Sequence, residues 1–358
     1  MDERLLKKHI MLTPRMEPVD AVKLAFQGAF GCGHLLSGRR DCAAYVAREL
    51  AETTTDEAAP AYTPIGGGMS RLNLRSPAVR RLSPERIADL MILTASQIGP
   101  GDKAAFERDL ALLEALARKG QTPFSQQALA DYLTAYRAQG CPPVSHSPAY
   151  RAAYGPAYRV VLTPLAQAAE MLAAADDRLC RDGQVTLVLD GPCAAGKTTL
   201  AALLARLYQT KTISMDDFFL PAELRTPQRL AQPGGNVHYE RFADEVLAGL
   251  LTGRPFDYRR FDCHTGDILQ RHYQPASVTL IEGSYSHHPA FEQAYRQLRP
   301  LKVWLDVSEA EQLRRLEKRN PQMLQMFINR WMPLEKSYRE AYHIPKDADM
   351  ILRMEEWL

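Results

Sequence analysis

The sequence predicts an α/β fold for its second half, a doubly wound parallel sheet, preceded by a mostly helical N-terminal domain. Two observations carry this. Short apolar runs at Gln184–Asp190, Lys211–Met215, Val278–Ile281 and Leu301–Val307 alternate with helical periodicity at Thr199–Tyr208, Tyr239–Leu250 and Ala310–Arg319. The first run also opens into a glycine-rich turn followed at once by a helix, as a buried parallel strand does when it feeds a crossover.

In chain order, Val22, Leu24, Ala25 and Phe26 begin one helical segment, Tyr45, Val46 and Leu50 lie on a second, and Ile87, Leu90, Met91 and Leu93 on a third. Ser83-Pro84-Glu85 is a helix start, with Ser as N-cap and Pro in the first turn. Gly120 and Gly140 close helices over Asp102–Lys119 and Ser125–Gln139. Two glycine-rich stretches interrupt the pattern, Phe30–Leu36 and Ile65–Leu74. They read as turns between helices; the competing reading is a second ligand pocket using His34, Arg71 and Asn73. A metal at Cys32, His34 and Cys42 is disfavoured, since no paired ligand spacing supports it. The prolines of Cys141–Pro164 point to a linker, dividing the chain into a helical domain over 1–140, a linker over 141–164 and an α/β domain over 165–358.

The 358 residues suffice for two domains, each with its own core. Lys and Arg number 44 against 42 Asp and Glu, a net charge of +2, which gives no footprint for nucleic acid or an anionic membrane. The six cysteines, Cys32, Cys42, Cys141, Cys180, Cys193 and Cys263, include no C-x-x-C pair, so a reduced setting is expected. MDERLLKKHI lacks the apolar core of a signal peptide, and no apolar run is long enough to span a bilayer. The expectation is a soluble cytoplasmic protein acting on a small molecule, without nucleic-acid or membrane partners; homo-oligomerisation is left open.

Gly191-Pro192-Cys193-Ala194-Ala195-Gly196-Lys197-Thr198 satisfies G-x-x-x-x-G-K-[ST], and Thr199 continues into the helix. The two glycines let the backbone turn its N–H groups toward phosphate oxygens, and the helix start adds a positive dipole end. Lys197 is expected to reach the outer phosphates, and the Thr198 hydroxyl to ligate Mg²⁺. Asp216-Asp217-Phe218-Phe219 follows the second strand and Glu282-Gly283 the third, so all three loops face one crevice at the carboxyl ends of the strands.

Together, GPCAAGKTT, SMDDFF, TLIEGSYS and the helix around RRLEKRNP resemble the uridine kinase and phosphoribulokinase group of P-loop kinases, which includes bacterial pantothenate kinase. The resemblance runs from Gln184 to the C-terminus; the N-terminal domain carries none. It implies that Asp216 accepts the proton of the acceptor hydroxyl, that Glu282 holds Mg²⁺ through water, and that Asp217 supports the metal or a local turn. It also implies a lid helix, whose Arg315 and Arg319 would close over the phosphates, with Arg314 and Arg330 nearby. For Arg315, an i,i+4 pair with Glu311 is the competing reading. The acceptor would meet His238, Tyr239, Arg241, Tyr258, Arg259, Asp262 and His264. Val237-His238-Tyr239 and Arg259-Arg260-Phe261 depart from the uridine kinase pattern, and paired arginines suit an acceptor bearing a carboxylate or phosphate.

These readings add up to an ATP- and Mg²⁺-dependent phosphotransferase. A nucleoside is the first acceptor expected, and a pantothenate-like molecule or a sugar phosphate the second. A nucleotide-dependent switch without an acceptor is the reading from another class.

Overall fold

The computed structural model describes residues 1–262 and 265–355; Cys263 and the acceptor candidate His264 lie outside them. The chain forms two compact units, Met1–Glu170 and Met171–Glu355.

The N-terminal unit is mostly helical, with helices at Glu3–Leu12, Pro18–Phe30, Arg39–Glu52, Pro84–Ile98, Lys103–Arg118 and Gln126–Ala138. It also holds an antiparallel sheet in the order β1-β2-β3, made of β1 (Tyr62–Gly66), β2 (Met69–Asn73) and β3 (Tyr158–Leu162). Two expectations are corrected here. The glycine-rich stretch Ile65–Leu74 is mostly a β-hairpin rather than a turn between helices. Its turn must be glycine, because a Cβ on Gly67 would lie 1.8 Å from the Gly28 carbonyl oxygen. The expected linker over 141–164 contains helix Pro148–Tyr154 and the third strand of this sheet. Pro148 opens that helix instead of preventing it, because Ser147 caps it by accepting from Tyr150 N at 3.0 Å.

In the C-terminal unit, β4 (Val185–Asp190), β5 (Thr212–Ser214), β8 (Val278–Glu282), β9 (Leu301–Asp306) and β10 (Met350–Arg353) form a parallel sheet in the order β10-β9-β4-β8-β5. Between β5 and β8 the chain makes a separate antiparallel hairpin of β6 (Phe256–Phe261) and β7 (Ile268–Tyr273). The strand β8 is buried along its whole length, Thr279 and Glu282 included, as a central parallel strand is. The chain passes from β4 to β5 across a position later filled by β8, so the loops after these three strands share one end of the sheet. The helix over 239–252 contains a π-turn at Ala243–Leu247 and ends at Gly253 in the left-handed conformation. Among the described residues, no helix is long and apolar enough to cross a membrane.

Candidate active site

The crevice is assembled on Asp190, the last residue of β4, which is 1% exposed. Its carboxylate accepts from Gly191 N at 2.6 Å, Tyr285 N at 3.2 Å, His287 N at 2.9 Å and the Tyr338 hydroxyl at 2.9 Å. One buried anion thus ties the phosphate loop to the loop after β8 and to helix Met332–Ala341. Gly191 packs so tightly that a Cβ there would lie 2.5 Å from Leu305 O, and Gly196 takes φ +96 as the helix opens.

Lys197 is buried, with its ammonium donating to Gly191 O at 2.8 Å, Pro192 O at 2.9 Å and Ser284 Oγ at 3.1 Å. Beside it, Glu282 accepts from Thr198 Oγ1 at 3.3 Å and Ser214 Oγ at 2.9 Å. Burial, and then the nearby Asp216, push its carboxyl above the ordinary range. Among the described residues no three His, Cys, Asp or Glu side chains cluster as a metal cage. One carboxylate beside one hydroxyl is nevertheless the donor set with which proteins hold Mg²⁺ when phosphates and water complete the shell.

Asp216 stands on a 3₁₀ turn, Met215–Phe218, directly after β5. It is open to the crevice mouth, yet crowding by the walls raises its pKa, against the opposing pull of Lys197 and Arg319. Asp217, expected near the metal, points elsewhere. It pairs with Arg260 at 3.2 Å and lies 3.5 Å from the Tyr258 hydroxyl. Asp217 nevertheless lines one cavity wall together with Asp216.

Two cavities meet at Asp216. One of about 240 Å³ is lined by Lys197, Thr198, Asp216, Glu282, Arg319 and Glu335. The other, of about 550 Å³, is lined by Asp216, Arg225, Asn236, Arg260, Arg330 and Trp331. Asn236 also lines both, and its buried Oδ1 has no hydrogen-bond partner among the described residues.

Of the lid arginines, Arg319 faces the smaller cavity. Arg315 does not: it donates to Glu311 at 2.6 Å, to the phosphate-loop carbonyl of Ala194 at 3.1 Å and to Met354 O, so it braces the loop from outside. Arg314 is forked onto Glu311 at 2.6 and 2.7 Å. Sequence reasoning missed Glu335, whose carboxylate accepts from Cys193 N in the phosphate loop at 2.8 Å and from Ser284 Oγ at 2.9 Å. A loop amide is therefore already aimed at an anionic oxygen.

The acceptor candidates fare differently. Asp262 lines the larger cavity. His238 caps its helix by accepting from Arg241 N at 3.3 Å, and Arg241 donates to the carbonyls of Asp217 and Arg259. Tyr239 stacks on His288 at 4.3 Å and carries Arg229 on its ring, and Tyr258 packs against Phe218. Arg259 is forked onto Glu245, while its neighbour Arg260 faces the cavity, as the two-residue period of β6 requires. Arg225, Asn236 and Arg260 line the larger cavity, where most of the expected set does not. Their one sequence signal is that they lie between the second and third predicted strands.

Over about half its length the chain is similar to two solved structures. A possible uridine kinase from Bacillus stearothermophilus matches with a TM-score of 0.37 and 19% identity, covering 51% of this chain and 99% of that one. A candidate fructose transport system kinase from Silicibacter sp. TM1040 matches with a TM-score of 0.38 and 20% identity, covering 47% of this chain and 89% of that one. No family model matches the sequence. No curated protein matches it either.

Proposed function

We propose that the C-terminal unit is an ATP- and Mg²⁺-dependent phosphotransferase acting on a hydroxyl of a small metabolite. The observation that carries this is the position of Asp216, which lines both the cavity of the phosphate loop and its neighbour. Mg·ATP would supply the transferable phosphoryl group and the divalent charge that offsets its oxygens.

The chain's own residues have the remaining tasks. The loop from Gly191 to Thr199, with Pro192, Cys193, Ala194, Ala195 and Gly196 between, holds phosphate oxygens on its amides, and Lys197 turns from its carbonyl partners toward them. Thr198 and Glu282 hold the cation. Asp216 orients the acceptor hydroxyl and takes its proton as the new P–O bond forms. Arg319 offsets charge on the transferring group. Glu335 must withdraw from Cys193 N, since a carboxylate and a terminal phosphate cannot share that amide.

The larger cavity favours the second acceptor class over an uncharged nucleoside. Arg260 is paired there with Asp217 and Asp262, which leaves Arg225 and Arg330 to meet a phosphate or carboxylate on the acceptor, and Asn236 Oδ1 can accept from a hydroxyl. A panel of nucleosides, pantothenate and sugar phosphates, assayed for ADP release from Mg·ATP with mass detection of product, tests this. One anionic member gaining a phosphoryl group is the expected result. Stimulation by uridine alone would return the acceptor to the nucleoside class, and no stimulation by any member would favour the switch.

A further inference from the structure

The N-terminal unit contains a hydrogen-bonded chain that the phosphotransferase reading does not use. Asp20, Lys23 and Gln27 lie three and four residues apart on helix Pro18–Phe30, on one helical face. Asp20 is fully buried and accepts from Glu17 N, from Ser147 N and Oγ, and from His146 Nδ1 at 2.7 Å. His146 Nε2 lies 2.6 Å from the Tyr158 hydroxyl. Gln27 Nε2 reaches that oxygen at 3.3 Å, and Gln27 Oε1 accepts from Arg71 Nε and Nη2 at 3.1 and 2.9 Å.

With Asp20 ionised and Tyr158 donating to His146 rather than across the longer 3.4 Å contact to Gln27 Oε1, one proton arrangement satisfies the pairs above. Arg71 donates to Gln27, Gln27 to Tyr158, Tyr158 to His146 and His146 to Asp20. The chain therefore runs from a cation to an anion with every donor pointing one way.

The charges do not balance. Arg71 is buried, stacked 4.4 Å over the Tyr158 ring, and among the described residues no carboxylate pairs with it. Desolvation of the guanidinium is not repaid by a counter-charge. Lys23, on the same helix face, donates to Val144 O at 2.6 Å, and burial with the nearby Arg71 and Arg151 lowers its ammonium to about 8. Asp20 already accepts four hydrogen bonds. Sheet geometry explains why Arg71 and Tyr158 meet: Arg71 pairs with Val160, so Tyr158, two residues away, is its diagonal neighbour on the same face. Lys23 and Tyr158 are only half-buried, so the cluster reaches solvent.

We propose that this cluster is a second ligand site, taking a small molecule through a carboxylate or phosphate group held by Arg71 and Lys23. The ligand supplies the missing negative charge, and the chain ending on Asp20 fixes the Tyr158 hydroxyl beside it. The proposal is independent of the phosphate-loop reading.

The test uses the full chain carrying Lys197→Ala, titrated calorimetrically with inorganic phosphate in one arm and oxalate in the other. Saturable one-site binding of either anion is expected, weakened at least tenfold by adding Arg71→Gln or Lys23→Met and largely kept by Arg71→Lys. The arm that binds distinguishes phosphate from carboxylate. Lys23→Met lies on a half-buried helix face and carries the test if Arg71→Gln melts early. Absence of binding at millimolar anion, or binding that both charge-removing variants leave intact, overturns the proposal.

Discussion

Around Lys197 and Arg319 the crevice gathers three carboxylates, Asp216, Glu282 and Glu335. Around Asp20 the N-terminal unit gathers Lys23 and Arg71, with Arg151 acting on the same group. The first region has more acid than base, and the second the reverse. An excess of acid beside a phosphate loop suits a bound divalent cation, and an excess of base over acid suits an anion. The difference teaches that uncompensated buried charge, read by sign, indicates what each region lacks.

The sharpest way to separate the two regions is Lys197→Ala. Turnover should fall by about a thousandfold or more, the scale of a lost transition-state charge contact, and nucleotide affinity should fall with it. Anion binding by the N-terminal unit should be untouched. Calorimetry and ADP release measure both, and full turnover in the variant would dismiss the phosphate-loop assignment.

Asp216→Asn should lower turnover by about a hundredfold or more while leaving ATP binding in place, the scale of lost general-base catalysis. Because burial raises the Asp216 pKa, the group ionises above the ordinary carboxylate value of 3.8. Activity of the native chain should therefore fall as pH drops through that raised pKa, and the Asn variant should lose this acid limb. A pH–rate profile that is the same in both proteins would remove Asp216 from its role.

How far these regions are legible in sequence differs for a physical reason. The glycine-rich loop is contiguous, a strand, a turn and a helix start in unbroken sequence, so its conformation from Gly191 to Thr198 could be read directly. The N-terminal cluster draws on residues 20, 23, 27, 71, 146 and 158, which only a strand pairing and a helix cap bring together. Arg71 had been weighed as a ligand contact, but His146 and Tyr158 lay in what read as a linker. Within the α/β unit, β10 escaped notice because it is four residues long with one buried side chain, Leu352. Glu335 was hidden because its helix pattern is that of any amphipathic segment; only the fold brings it to Cys193 N. The resemblance gives Asp216 and Asp217 separate roles, but the pairing of Asp217 with Arg260 on β6 has no sequence signature.

A smaller effect tests the acceptor side. Arg260→Gln should raise KM for an anionic acceptor about tenfold, as expected for a lost charge-assisted contact, and leave KM for ATP unchanged. An equal rise for uncharged and anionic acceptors would show that Arg260 only positions Asp217.

The smallest effect should come from Glu335→Gln. Removing the carboxylate that competes for Cys193 N should tighten nucleotide binding by about threefold to tenfold, since a like charge no longer faces the terminal phosphate. Titration with a fluorescent ADP analogue measures it, and weaker binding would mean that Glu335 supports the loop rather than obstructs it.

The fate of the γ-phosphoryl group tests the central claim most directly. ATP labelled in that group is incubated with the full chain, Mg²⁺ and the acceptor that stimulates ADP release most, and the label is traced by mass. The account predicts label in the phosphorylated acceptor, at one per ADP formed, with little free phosphate. Label recovered only as inorganic phosphate, at a rate that no acceptor changes, would contradict it and identify a hydrolase in which Asp216 serves no acceptor.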